Sequence, residues 1–135
     1  MPTIHSHYLG ELRTEQTHVA SGQKFITDAP LDNQGRGEAI SPTDSVCAAL
    51  SACMMTLMGI AARTHEINIA GLQASVTKHM QSNPRKIQKI EIEFYGWYHI
   101  PDEKQRMILE RTAMTCPVAL SLHPDIEQDI KFRYD

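Results

Sequence analysis

The run SPTDSVCAALSACMMTLMGIAAR, residues 41–63, decides the architecture. From Ser45 to Ala62 it carries no charged side chain, and its opening bears agreeing helix-start signals. Ser41 can cap, Pro42 suits the first helical position because its missing N–H needs no partner there, and Asp44 completes an S-x-x-D variant of the capping box. Arg63 and His65 complement the negative end of the helix dipole. At about 1.5 Å per residue this helix is nearly long enough to span a bilayer. Ser51, Thr56 and Gly59 interrupt it, however, Asp44 and Arg63 bracket it closely, and no second span follows. A helix that is apolar all round also suits the centre of a protein core, so no membrane is expected. That choice creates a demand for cover. A chain of 135 residues has few elements with which to surround such a helix, and a second subunit is a natural source of the missing surface.

Composition bounds the function. A net charge of −3 with 41% apolar residues describes one globular domain over residues 1–135 with no electrostatic bias towards nucleic acid. The three cysteines, Cys47, Cys53 and Cys116, form no CxxC and no zinc-finger spacing, which argues against a disulfide scaffold and against structural zinc; no metal site is expected. The opening MPTIHSHY lacks the basic and apolar regions of a signal peptide, so the expected compartment is the cytoplasm, with thiols kept reduced.

Outward from the helix, residues 4–9, 12–19 and 24–27 read as strands, with Ser21-Gly22 as a turn between the last two. The run APLDNQGRGEAI, residues 29–40, has no period, and a loop of that length in a small domain is more often functional than idle. After the helix, Leu72, Ala74 and Val76 alternate with polar residues, as do Ile90, Ile92 and Phe94, giving two half-buried strands. Ser82-Asn83-Pro84 between them predicts an antiparallel hairpin. Asp102 with Gln105 caps a second helix carrying Met107, Ile108 and Met114, and Ile130, Phe132 and Tyr134 close the chain as a last strand. The order is an α+β plan of antiparallel sheets, without the βαβ alternation of a parallel sheet.

Chemistry concentrates on the thiols. Cys53 in the middle of the helix is either a small core hydrophobe or a reactive group. Pro117 pushes Cys116 out of helical geometry and suits a short helix running through Leu122, which puts Cys116 at an N-cap. Backbone N–H groups there favour a thiolate, although a Cys-Pro pair also serves as plain helix punctuation. Cys47 lies about 240° around the helix from Cys53 and reads as packing. Seven histidines leave a Cys-His nucleophile pair conceivable, but no local signature supports one; His65 and His123 read as helix ends.

Three segments, YLGELRTE (8–15), the helix at 41–63 and TCPVALSLHP (115–124), resemble the OsmC/Ohr family, named for osmotically inducible protein C and organic hydroperoxide resistance protein. The most specific parts are Ala52-Cys53 and Cys116-Pro117-Val118, and the resemblance covers nearly the whole chain in order. It implies an OsmC-like fold, an intertwined homodimer with two active sites at the subunit interface, and thiol-dependent reduction of organic hydroperoxides. In the family the cysteine matching Cys53 is peroxidatic, the one matching Cys116 resolves the sulfenic acid as a disulfide, and an arginine matching Arg13 stabilises the thiolate. An acidic residue near the helix start holds that arginine. The hydroperoxide-resistance branch resembles Asn-Pro-Glu where this chain reads Ser41-Pro42-Thr43-Asp44. Asp44 is therefore either the arginine's partner or only a cap, and Glu38 is a second candidate or a solvated loop charge. The resemblance further implies no bound cofactor and an external dithiol, of lipoyl type, as reductant. Leu50, Met54, Leu57 and Ile60 around Cys53 suggest an apolar approach suited to an alkyl or fatty-acid hydroperoxide. Two other readings stay open: a non-enzymatic, stress-induced dimer that binds small molecules, and a Cys-His hydrolase.

Overall fold

A computed structural model describes residues Met1–Asp135, which divide into two compact units, Met1–Val46 and Cys47–Asp135. In the first, β1 (Ile4–Gly10), β2 (Arg13–His18) and β3 (Lys24–Asp28) form an antiparallel sheet in that order. β2 begins at Arg13 and not at Leu12, as expected from the pattern, because Glu11 and Leu12 form the turn itself, both at positive φ (54° and 63°). The Ser21-Gly22 turn is present, closed by a His18 N–H to Gln23 O bond of 2.8 Å, and it sets a register in which Arg13 faces Asp28, Thr14 faces Thr27 and Gln16 faces Phe25. β3 thus runs one residue further than the apolar pattern indicates. Residues 29–40 fold back on themselves around a 3-10 turn at Leu31–Asn33, with Gly35 N–H donating to Pro30 O at 2.9 Å. Gly35 is required there, since a Cβ would overlap the Ala29 carbonyl.

The boundary between the units falls within α1 (Pro42–Thr64). Its start is the predicted capping box: Ser41 Oγ accepts from Asp44 N–H, and Asp44 Oδ2 accepts from Ser41 N–H, both at 3.1 Å. In the second unit β4 (Gln73–Gln81), β5 (Lys86–Tyr95) and β6 (Glu127–Phe132) lie in that order. Between β5 and β6 come α2 (Glu103–Met114) and α3 (Pro117–Ser121). β4 and β5 form the expected antiparallel hairpin, but β6 pairs with β5 in parallel. The two helices carry the chain back to the end of the sheet where β5 begins, so this sheet is mixed and contains a β-α-β connection that the pattern did not reveal. Asp102 and Gln105 cap α2 reciprocally, each bond 2.9 Å.

The core belongs to this second unit. A stripe of α1 (Cys47, Leu50, Met54, Met58, Ala62), the inward residues of β5 (Ile87, Ile90, Ile92, Phe94), Leu109 and Ala113 of α2, and Cys116 with Ala119 are all buried. A bulge at His79/Met80 resets the alternation, which lets Ile87 and Ile90 share one face although they are three positions apart. α1 is long and apolar enough to cross a membrane by length and composition, and 28% of its most apolar window is buried. Such burial fits a core helix with one face packed by its own chain and the rest left for cover.

Candidate active site

Pro117 at the first position of α3 fixes Cys116 as the N-cap, with extended backbone (φ −70°, ψ 150°) and its Sγ accepting from Ala119 N–H at 3.4 Å. The thiol has no exposed surface. Cys53 is close enough to act on the Cys116 thiol, so the structure makes neighbours of these two cysteines. Burial foremost, and the neighbouring Cys53 in addition, push the Cys116 thiol up from its ordinary value, against the opposing pull of the Ala119 and Val118 amides. Cys116 is therefore held as a neutral thiol at neutral pH. Cys53 stands off the buried stripe of α1 and is half-buried, whereas Cys47, on the stripe, is buried; all three are free thiols. Of the apolar residues expected around Cys53, Leu50 and Met54 are consumed by the core. Leu57 and Ile60, four and seven positions on, share the helix face of Cys53, and Ile60 is 57% exposed.

Arg13 belongs to the first unit. Its guanidinium meets Asp28 side-on, Nε to Oδ1 at 2.7 Å and Nη2 to Oδ2 at 2.8 Å, and Nη2 also donates to Glu38 Oε1 at 3.0 Å. Asp28 is 1% exposed and additionally accepts from Glu38 N–H at 3.2 Å, which ties the 29–40 loop to the same carboxylate. The Arg13 hydrogen bond holds the Asp28 carboxyl below its usual range despite burial, and Asp28 in turn raises the arginine further. The arginine is thus held by Asp28 and Glu38, while the Asp44 carboxylate serves the helix cap described above. Glu38 is one of the two candidates the sequence offers; Asp28 is not among them. Its signal was available in the Ser21-Gly22 turn, since pairing the strands from that turn sets residue 28 opposite residue 13.

In the same unit a groove of about 330 Å³ is lined by Ile4, Thr14, Gln16, Phe25, Thr27, Pro42 and Ser45. Three of its polar side chains bond each other, Thr14 with Thr27 and Gln16 Nε2 to Thr14 Oγ1 at 3.0 Å, and Ser45 Oγ donates to the Ser41 carbonyl at 3.1 Å, which leaves an apolar rim. Three of the seven histidines have hydrogen-bond partners of their own: His79 with Glu91 at 3.0 Å, His18 Nδ1 with Ser21 Oγ at 2.6 Å, and His123 Nδ1 with Asp125 N–H at 3.0 Å. No group of three or more His, Cys, Asp or Glu side chains is placed to hold a metal ion.

Comparison with known proteins identifies the family. A family model described as OsmC-like protein matches residues 35–131. Among solved structures, a protein of Psychrobacter arcticus described as an osmotic stress induced and detoxification response protein is 47% identical, with 98% of this chain and 96% of that one covered and a TM-score of 0.95. An organic hydroperoxide resistance protein of Legionella pneumophila shares the fold at 12% identity, covering 98% and 97% of the two chains with a TM-score of 0.76. One of Elizabethkingia anophelis does so at 16% identity, covering 100% and 98% with a TM-score of 0.69. A search of the curated proteins finds no match. With most of its length matched by the family model and a near-complete relative at this identity, the chain belongs to the OsmC-like protein family.

Proposed function

We propose that the protein is a cysteine-based peroxidase that reduces organic hydroperoxides to alcohols in the cytoplasm, as a homodimer and at the expense of an external dithiol. The observation that carries this reading is the adjacency of Cys53 and Cys116, the first half-buried and the second sealed and neutral. The Cys53 thiolate attacks the distal oxygen of ROOH; the O–O bond breaks, the alkoxide takes a proton and leaves as ROH, and Cys53 becomes a sulfenic acid. The Cys116 thiol then condenses with it, forming the Cys53–Cys116 disulfide and releasing water. A dithiol reopens the bond by exchange. Arg13 opposes the desolvation of the thiolate, held in one orientation by Asp28 and Glu38, and the Nη1 edge of its guanidinium is left facing away from the Asp28 pair. The hydroperoxide-resistance neighbours support the substrate class. The uncovered face of α1 and the exposed apolar residues of the first sheet support the dimer.

Purified protein supplied with dithiothreitol should consume cumene hydroperoxide, and Cys53→Ser should lose that activity by roughly 10³-fold or more. A small-molecule-binding dimer of the same fold would show equal, negligible consumption in both proteins.

A further inference from the structure

This inference rests on the peroxidase reading and concerns the step after the disulfide has formed. Exchange requires a thiolate to reach one of the two sulfurs along the S–S axis, so access decides which cysteine carries the mixed disulfide. Cys116 Sγ has no exposed surface and lies against the Ala119 amide at 3.4 Å. Ala119 is itself fixed, its carbonyl accepting from Gln128 Nε2 at 3.0 Å. Ala119 and Gln128 both belong to the second unit. Cys53 is half-buried on the α1 face that carries Leu57 and the exposed Ile60. A hydroperoxide must reach Cys53 for the first step to occur, so a path to that sulfur exists whatever else covers the face.

We infer that the reductant attacks Cys53 and never Cys116: the mixed disulfide forms on Cys53, and Cys116 is the leaving thiol. One thiolate of the external dithiol bonds to Cys53 Sγ, the Cys53–Cys116 bond breaks, and its electron pair passes to Cys116 Sγ. The Ala119 and Val118 amides favour negative charge on that sulfur as it departs, and it then takes up a proton. The second thiol of the donor, deprotonated, attacks the donor sulfur of the mixed disulfide. The oxidised donor leaves as its own disulfide, and Cys53 is returned as thiolate. The protein thus gains two electrons, and the dithiol loses two. Hydroperoxide and reductant share one entrance, at Cys53, and must use it in turn.

The test uses the full-length protein oxidised with diamide, which forms the disulfide without any peroxide chemistry. The product is exposed briefly to 2-mercaptoethanol, quenched in acid, alkylated with N-ethylmaleimide and mapped without reductant. The expected result is a mercaptoethanol adduct on the Cys53 peptide and maleimide on the Cys116 peptide, in at least about tenfold excess over the reverse pattern. A mercaptoethanol adduct on Cys116, or an even mixture, overturns the assignment, and so does failure of diamide to join the two cysteines. A disulfide that forms with diamide but not with an organic hydroperoxide sinks the peroxidase reading instead, while the adduct map still decides this one.

Discussion

Residues 1–46 bury only polar side chains, Thr27, Asp28 and Ser41, while residues 47–135 bury an apolar core from Leu50 and Met54 to Ile92, Phe94 and Leu109. The second unit therefore has the means to hold itself together by the hydrophobic effect. The first does not: Ile4, Leu9, Leu12, Phe25, Ile26 and Ile40 are each between 39% and 45% exposed, and a three-stranded sheet without a covered apolar face is not stable by itself in water. What the first unit has fixed is a charge, with a buried carboxylate gripping Arg13. Cys53 and Cys116 thus lie in the unit with the apolar core, and Arg13 in the unit that needs cover.

The sharpest way to break this comparison is to ask whether, in the proposed peroxidase, Arg13 and Cys53 of one site come from different subunits. Mixing a Cys53→Ser chain with an Arg13→Ala chain should restore about a quarter of wild-type peroxidase activity, since heterodimers then carry one intact site of two. If no activity returns on mixing, both groups act within one chain. A sedimentation result of stable monomer at micromolar concentration would remove the dimer altogether.

A second contrast uses two phenylalanines. Phe94, the last inward residue of β5, is fully buried and stacks on Phe132 with ring centroids 5.3 Å apart, so Phe94→Ala should cost about 3–5 kcal/mol in a denaturant titration. Phe25, on the rim of the first-unit groove, should behave differently. Its truncation to Ala should weaken the dimer and make the unfolding midpoint depend more steeply on protein concentration. Equal, concentration-independent losses at both sites would mean that the first sheet is covered by nothing beyond its own chain.

The smallest effect concerns acid. Asp28 has a carboxyl held below its usual range in the folded state, so the stability it contributes is present above the ordinary carboxylate pKa of about 4 and is lost as pH falls through the lower folded value. Thermal midpoints measured from about pH 5 downwards should fall more steeply for the wild type than for Asp28→Asn, which lacks that titration. Parallel slopes would show that the pair with Arg13 is not maintained in solution.

Much of this arrangement is legible in the sequence because its causes are local. Capping boxes at Ser41/Asp44 and Asp102/Gln105, the N-cap role of Cys116 before Pro117, and the strand alternation around Ile90–Phe94 depend on neighbours a few residues away. The parallel pairing of β6 with β5 is not local, and apolar alternation is the same for either direction of pairing. Asp28 was hidden for a related reason: it follows the last apolar residues of β3, and only the register from a turn shows that it faces Arg13. Nor could an uncharged helix reveal from its composition which stripe its own chain would bury. That stripe runs through Cys47 and Met54, and it leaves Cys53 half-buried at its margin.

The central claim is that Cys53 and Cys116 form one redox pair from which Cys47 is excluded. Reduced protein titrated with cumene hydroperoxide, with thiols counted at each addition and peptides mapped without reductant, tests it directly. The account predicts that two thiols per chain disappear with one equivalent of peroxide, that the mapped bond joins Cys53 to Cys116, and that Cys47 stays free. A bond to Cys47, or a Cys53 that ignores the peroxide in a folded protein, would contradict it.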